Sequence, residues 1–359
     1  MKRIIALTCV AAAIAALLSS CHREPLYITD FYDTFDLVIR PRWSEMDSRP
    51  TGMTAFIYPT EGGDPTVLSS NDVDSIAVRL HAGGYRILLM NLTPAEFPSL
   101  EFSRMESFYD AKVSAAPQSK EASYALIPDC TYCQSPEILA IDCCNELKVD
   151  QSEIREYEKK GQRVRKVVTM KPHVIVSTLY IDIPVEGIYN AWSATGCIDG
   201  MSRQIYMTYF DTGTERAAHE IPTWKPSYES VSSIYGSLSA SVTTLGMPGT
   251  SLYLSSGASV ETSITDIASI TRSETDPVFK PEDIFLHISV LLADKKTVIT
   301  KDYPVGDLIT RRINQPLVLN LKMEEMLFLP FVPPADGSGM AGFDVSVEDW
   351  FEEEHDIYF

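Results

Sequence analysis

The sequence predicts an all-β protein made of two antiparallel β-sandwich domains in tandem. Three observations carry this expectation. Apolar residues alternate with polar ones at period two in many short runs. Glycine and proline punctuate those runs. No strand–helix alternation appears, which argues against a parallel α/β sheet. Length agrees with two cores, because removing the first 20 of 359 residues leaves 339.

In the first half, Phe35, Leu37 and Ile39 alternate with Asp36 and Arg40 in a strand that ends near Trp43. Met53 to Tyr58 is a second apolar run, stopped by Pro59 and the turn Glu61-Gly62-Gly63-Asp64-Pro65. Ile76, Val78 and Leu80 share one face of a third. Gly83-Gly84 is expected to make a tight turn into Tyr85, Ile87 and Leu89. Gln151 to Lys166 is highly charged and reads as a short exposed helix or linker.

The second half repeats the style. Val174 and Val176 lead into Leu179, Ile181, Ile183 and Val185, and Ile205 to Phe210 reads as another strand. Ile284, Leu286, Ile288 and Val290 alternate, as do Leu317, Leu319 and Leu321. Residues 227 to 275 hold 21 Ser or Thr out of 49, which predicts strands joined by long polar loops, partly mobile. The division expected is a signal peptide over 1–20 and a tether over 21–31. A first sandwich with its charged linker follows over 32–160, and a second with an acidic tail over 161–359.

The leader gives the address. Lys2 and Arg3 precede the apolar run Ile4 to Leu18, which is too short and wrongly flanked for a spanning helix. Leu18-Ser19-Ser20-Cys21 resembles the bacterial lipobox, which implies cleavage before a lipidated Cys21 that anchors the mature chain. His22 follows in place of the Asp of inner-membrane retention, so the outer membrane is the expected site; which way the body faces is left open. Losing Lys2 and Arg3 takes the formal net charge from −19 to −21. So acidic a body repels phosphates and argues against a nucleic-acid partner. It also argues against docking on an anionic bilayer by charge, so attachment falls to the lipid.

Cys130, Cys133, Cys143, Cys144 and Cys197 remain in the mature body. Their spacing does not favour zinc, since adjacent Cys143 and Cys144 point different ways. One or two disulfides, or buried thiols, are the open alternatives.

Phe35 to Trp43, Gly52 to Tyr58, and Leu80-x-x-Gly83-Gly84-Tyr85 to Asn91 occur in an order that is similar to the fimbrillin-associated lipoproteins of gut and oral anaerobes. Lys171-Pro172, Gly196 to Met201, Val305-Gly306-Asp307, and the closing Gly342-Phe343-Asp344-Val345-x-Val347-x-x-Trp350 resemble the same group. The likeness spans roughly residues 25 to 350. It implies transthyretin-like or immunoglobulin-like sandwiches and an anchor or accessory role in a surface fimbria. It also implies fimbrillin-like partners bound by strand addition to an open sheet edge. Cleavage behind the first strand would part the body from Cys21, so the partner edge is expected elsewhere. Val345, Val347 and Trp350 are the candidate partner-binding residues, with Gly337 to Gly342 as a swing point and an acidic tail behind them. A solvated final strand is the plainer alternative for that segment.

No catalytic constellation is present. Gly-x-Ser-x-Gly is absent, and His219-Glu220 lacks the second histidine of a zinc-protease helix. His81, His173, His219, His287 and His355 are scattered singly, and no carboxylate pair stands out. No enzymatic activity, metal or cofactor is expected. Asp74-Ser75-Ile76 is similar to a short O-glycosylation sequence of exported bacterial proteins. The alternative function is a surface glycan-binding lipoprotein beside an outer-membrane importer, with some of the 17 Tyr and 4 Trp as sugar platforms. Metabolic labelling with a palmitate analogue tests the leader. The wild-type chain should be labelled, and Cys21→Ala should lose both label and membrane attachment; a labelled Cys21→Ala protein would contradict the reading.

Overall fold

The computed structural model describes residues 33–118, 127, 130–230, 233–249, 281–310 and 318–334. The all-β expectation holds, with five sheets and two short α-helices, Gln151–Lys159 and Gly306–Thr310, among these residues.

Two sheets of the first half face each other. Thr34–Pro41 lies between Ile76–His81, antiparallel, and Arg165–Met170, parallel. Opposite runs a sheet ordered His173–Val174, Ala140–Val149, Gly83–Asn91, Met53–Pro59, Thr66–Ser70. Phe35, Leu37 and Ile39 turn inward as their period predicts and meet Met53, Ala55, Ile57, Ile87 and Leu89. The charged helix Gln151–Lys159 docks on this core through one side chain, Ile154, and keeps its ionic residues outside.

The second sheet is covered on its other face too. Phe56, Tyr58, Leu88, Met90 and Ile141 point away from the first core into a second one. That explains why Met53 to Tyr58 is a continuous apolar run: every second residue serves a different core. Its far wall is a sheet drawn from both halves of the chain. Leu100–Ser103 and Lys112–Ala115 come from the first, Gln204–Tyr206 and Asp211–Thr212 from the second. The joint is antiparallel, with Val113 opposite Ile205.

The second half adds its own sandwich. One sheet is ordered Trp224–Tyr228, Tyr235–Thr244, Ser177–Glu186, Val318–Lys322, with Leu327–Phe328 continuing the last position. The other is ordered Val298–Pro304, Phe285–Leu292, Ala191–Ser202, Arg216–Glu220, Tyr132–Cys133. Leu179, Ile181, Ile183 and Val185 alternate inward against Leu286, Ile288, Val290 and Leu292, as expected. Tyr132–Cys133 crosses from the first half to pair in parallel with Ala218 and His219.

Several local expectations change. Gly83 and Gly84 open a strand, opposite Val149 and Lys148, and only Ala82 separates them from the preceding strand. Gly84 is needed for close approach: a Cβ there would lie 2.3 Å from Thr60 Oγ1. Ile205 to Phe210 is a strand only to Tyr206; the chain then turns, with Phe210 at φ 57°, and returns as Asp211–Thr212. Ile205 and Met207 are apolar because they fill the shared core. Within the Ser/Thr-rich stretch, Tyr235–Thr244 is a central strand whose Leu238 and Val242 are buried. Residues 250–280 and Leu317 lie outside the described residues. The five cysteines Cys130, Cys133, Cys143, Cys144 and Cys197 are free thiols. Cys143 packs toward the shared core and Cys144 toward the first, so the adjacent pair faces opposite ways. Burial pushes the thiol of Cys133 up to about 11 and that of Cys197 up to about 12.

His219 sits at the seam, fully buried between Ile198 and Cys133. Its Nε2 pairs with the Ser202 carbonyl at 3.1 Å. Burial holds its pKa down to about 4 from 6.5, so the ring is neutral in the folded protein. The folded pKa is below the unfolded one. Its stabilising contribution is therefore complete above pH 6.5 and is lost as pH falls toward 4. In urea titrations at pH 7 and pH 4.5, the wild type should lose about 2–3 kcal/mol more than His219→Gln between the two pH values. Equal losses would contradict the buried neutral ring.

Candidate functional site

The four residues singled out from the sequence, Cys21, Val345, Val347 and Trp350, lie outside the described residues, as does the Gly337 to Gly342 swing point. What is described is the sheet edge that precedes them in the chain. Val318–Lys322 runs parallel to Ser177–Glu186, pairing Leu319 with Leu179 and Leu321 with Ile181. The Met323 N–H then donates to the Asp182 carbonyl at 3.0 Å, and the Leu329 N–H to the Glu186 carbonyl at 2.9 Å. These bonds carry the chain along the whole flank of the strand.

Local sequence dictates this course. Leu319, Leu321, Met323, Leu327 and Leu329 are buried and form the inward row. Pro330, Pro333 and Pro334 then end any regular ladder, because they lack the N–H that a sheet needs. The outward row is mixed: Val318 is 63% exposed, Met326 46%, Phe328 60% and Phe331 78%, with Asn320 and Lys322 exposed beside Val318. Across the sheet, Tyr235 and Phe328 flank Glu186 in register, and Tyr180 stands opposite Asn320.

The outer side of Val318–Lys322 pairs with no strand among the described residues. Other edges carry proline within the strand as well as charge. Trp224–Tyr228 carries Lys225 and Pro226, and Val298–Pro304 carries Lys301, Asp302 and Pro304. Lys301 Nζ also reaches Glu325 Oε1, tying the Met323–Met326 crossing to the facing sheet. Burial, with Glu325 second, pushes the Tyr303 hydroxyl beneath this crossing up to about 12. The edge is therefore packed on its inner side and presents exposed apolar residues beside Asn320 and Lys322 on its outer side. That is the physical requirement for accepting an extended segment with pockets for alternate side chains.

The sequence signal for this edge is Met326-Leu327-Phe328-Leu329-Pro330-Phe331, an apolar run too long for one buried face. Attention to the later Val-x-Val-x-x-Trp pattern passed over it. Two of the scattered histidines meet carboxylates. His173 Nδ1 meets Glu45 Oε1 at 2.6 Å, and His287 Nδ1 meets Asp302 Oδ1 at 2.7 Å. Among the described residues no group of three or more His, Cys, Asp or Glu side chains is placed to hold a metal ion. No helix among them is long and apolar enough to cross a membrane.

A solved structure shares this fold. A candidate adhesin from Bacteroides ovatus superposes with a TM-score of 0.56 at 17% identity, over 87% of this chain and 98% of its own. A candidate adhesin from Bacteroides thetaiotaomicron matches at 9% identity and a TM-score of 0.45, over 82% of this chain and 91% of its own. The fimbrial anchor protein Mfa2 from Porphyromonas gingivalis matches at 10% identity and a TM-score of 0.42, over 84% and 93% respectively. No curated protein matches. A family model described as a domain of unknown function, DUF5119, matches residues 20–221. This chain is thus a member of the DUF5119 family.

Proposed function

We propose that this chain is a lipid-anchored outer-membrane subunit of an adhesive fibre, acting as an anchor or accessory piece. Cys21 would hold it to the membrane, and a fimbrillin-like partner would add a strand to the second sandwich. The observation that carries this reading is the edge of Val318–Lys322, which has no outer strand partner among the described residues, with its exposed Val318, Met326, Phe328 and Phe331. Three supports stand beside it: the lipobox-like leader, the absence of a recognisable catalytic pattern in the sequence, and the fold shared with a candidate adhesin.

The division of labour follows from geometry. Thr34–Pro41 is paired on both sides, and a lipid on Cys21 would tie it covalently to the membrane. Removing that strand would open the first core and free the body from its anchor. Val345, Val347 and Trp350 are the segment proposed to take part, either by entering a partner or by yielding this edge to a partner's strand.

A photo-crosslinking amino acid placed separately at Phe328, Phe331 and Val67 tests the edge in cells that make fimbriae. Crosslinks to a fimbrial subunit are expected at Phe328 and Phe331 and not at Val67, which sits on the outer strand of the first sandwich. Crosslinks confined to Val67 would overturn the proposal. So would a membrane-bound body trimmed in the first sandwich yet still joined to a shaft subunit.

A further inference from the structure

Among the described residues Arg86 has no acidic partner, and its surroundings give that fact a meaning. Its Nε is buried without a hydrogen-bond partner. Its recorded contacts are two rings: the guanidinium carbon lies 4.7 Å from the Tyr109 ring centre and 5.9 Å from that of Phe108. The other half-buried arginines among the described residues are neutralised, Arg203 by Glu215 and Arg216 by Asp283, whereas Arg40, Arg42, Arg104, Arg155 and Arg165 are exposed to water. A half-buried guanidinium left without a carboxylate, in a chain of formal net charge −19, points to an anion supplied from outside.

The rings beside it make a platform. Tyr109 stacks on Tyr209 at 6.0 Å between centres and 22° between planes. Tyr109 is 46% exposed, so part of its surface is open to solvent. The platform is firmly rooted: Phe108 meets Tyr109 edge-on at 5.4 Å and Tyr58 at 5.5 Å, and both Phe108 and Tyr58 are buried in the shared core. Arg86 stands opposite Tyr58 in register. On its other side the ladder slips between Tyr85 and Ile87, a bulge of the kind that re-aims side chains. Asp110, beside Tyr209 and accepting from Ser107 Oγ at 2.8 Å, adds a fixed acceptor.

We propose that Arg86, Tyr109 and Tyr209 form a binding site for a saccharide that carries a carboxylate, such as a uronate or sialate. The apolar face of the sugar ring would lie on the tyrosines. The planar guanidinium would take the carboxylate through two parallel N–H bonds. Asp110 would accept from ring hydroxyls. The site joins a loop of the first half to a turn of the second, so it exists only when both are folded together. It is independent of the strand edge around Phe328, and failure of either reading leaves the other standing.

The test uses the full mature chain on an array of oligosaccharides ending in glucuronate, galacturonate or sialate, each beside its carboxyl-reduced counterpart, followed by calorimetric titration of the strongest binder. The carboxylated form should bind at least about tenfold more tightly than the reduced one. Arg86→Gln should lose about that factor with its melting temperature unchanged. Tyr109→Ala, an exposed change that spares the core, should weaken both forms. Absence of binding to every carboxylated glycan would overturn the proposal, as would wild-type affinity in both Arg86→Gln and Tyr109→Ala.

Discussion

The sheet built from Ala140–Val149, Gly83–Asn91 and Met53–Pro59 has apolar side chains on both faces, and the rest of the structure depends on covering both. Ile87 and Leu89 serve one core while Leu88 and Met90 serve the next. A slip of one residue would exchange the two sets, so register is fixed twice over. Burying a side chain such as Leu88 or Phe56 contributes about 1.5–3 kcal/mol. The first sandwich cannot gain that for its second face alone. Ile205, Met207, Ala217 and Leu245, all from the second half, complete the cover.

This requirement shapes the function proposed. A subunit that links a membrane to a fibre must carry load from one end of the chain to the other. Here the path is continuous: the first strand is locked between two neighbours, the middle sheet is packed on both sides, and the second sandwich is joined by Tyr132–Cys133 and by the Val113–Ile205 pairing. His219 sits on that joint, where a charge would have no solvent and no acid to meet. The same seam brings Tyr109 beside Tyr209, so a surface feature arises where the two halves meet.

Much of the fold was legible in the sequence because period two is a local signal. Phe35-Leu37-Ile39, Leu179 to Val185 and Ile284 to Val290 could be read directly, since each faces one core and one outer surface. Gly83-Gly84 misled because glycine marks both turns and close backbone approach, and only Thr60, 24 residues away in sequence, tells them apart. Ile205 to Phe210 misled because its apolar residues serve a core and a turn in succession. The pairing of Lys112 with Tyr206 had no local signal at all, because it depends on the middle sheet presenting its second face. The candidate sites were less legible still. Arg86 carries no motif, and its interest lies in a missing partner, which exists only in three dimensions. The Val318–Phe331 edge was passed over because the later Val345, Val347 and Trp350 pattern drew the partner-binding reading.

Differential scanning calorimetry on the mature chain and on Leu88→Ala tests the shared core most directly. Leu88 belongs to the first half by sequence but to the joint core by packing. The account predicts one cooperative transition in both proteins, with the calorimetric and van't Hoff enthalpies in agreement, and with the whole transition moved down in the variant. Two resolved transitions, of which Leu88→Ala lowers only the first, would contradict it.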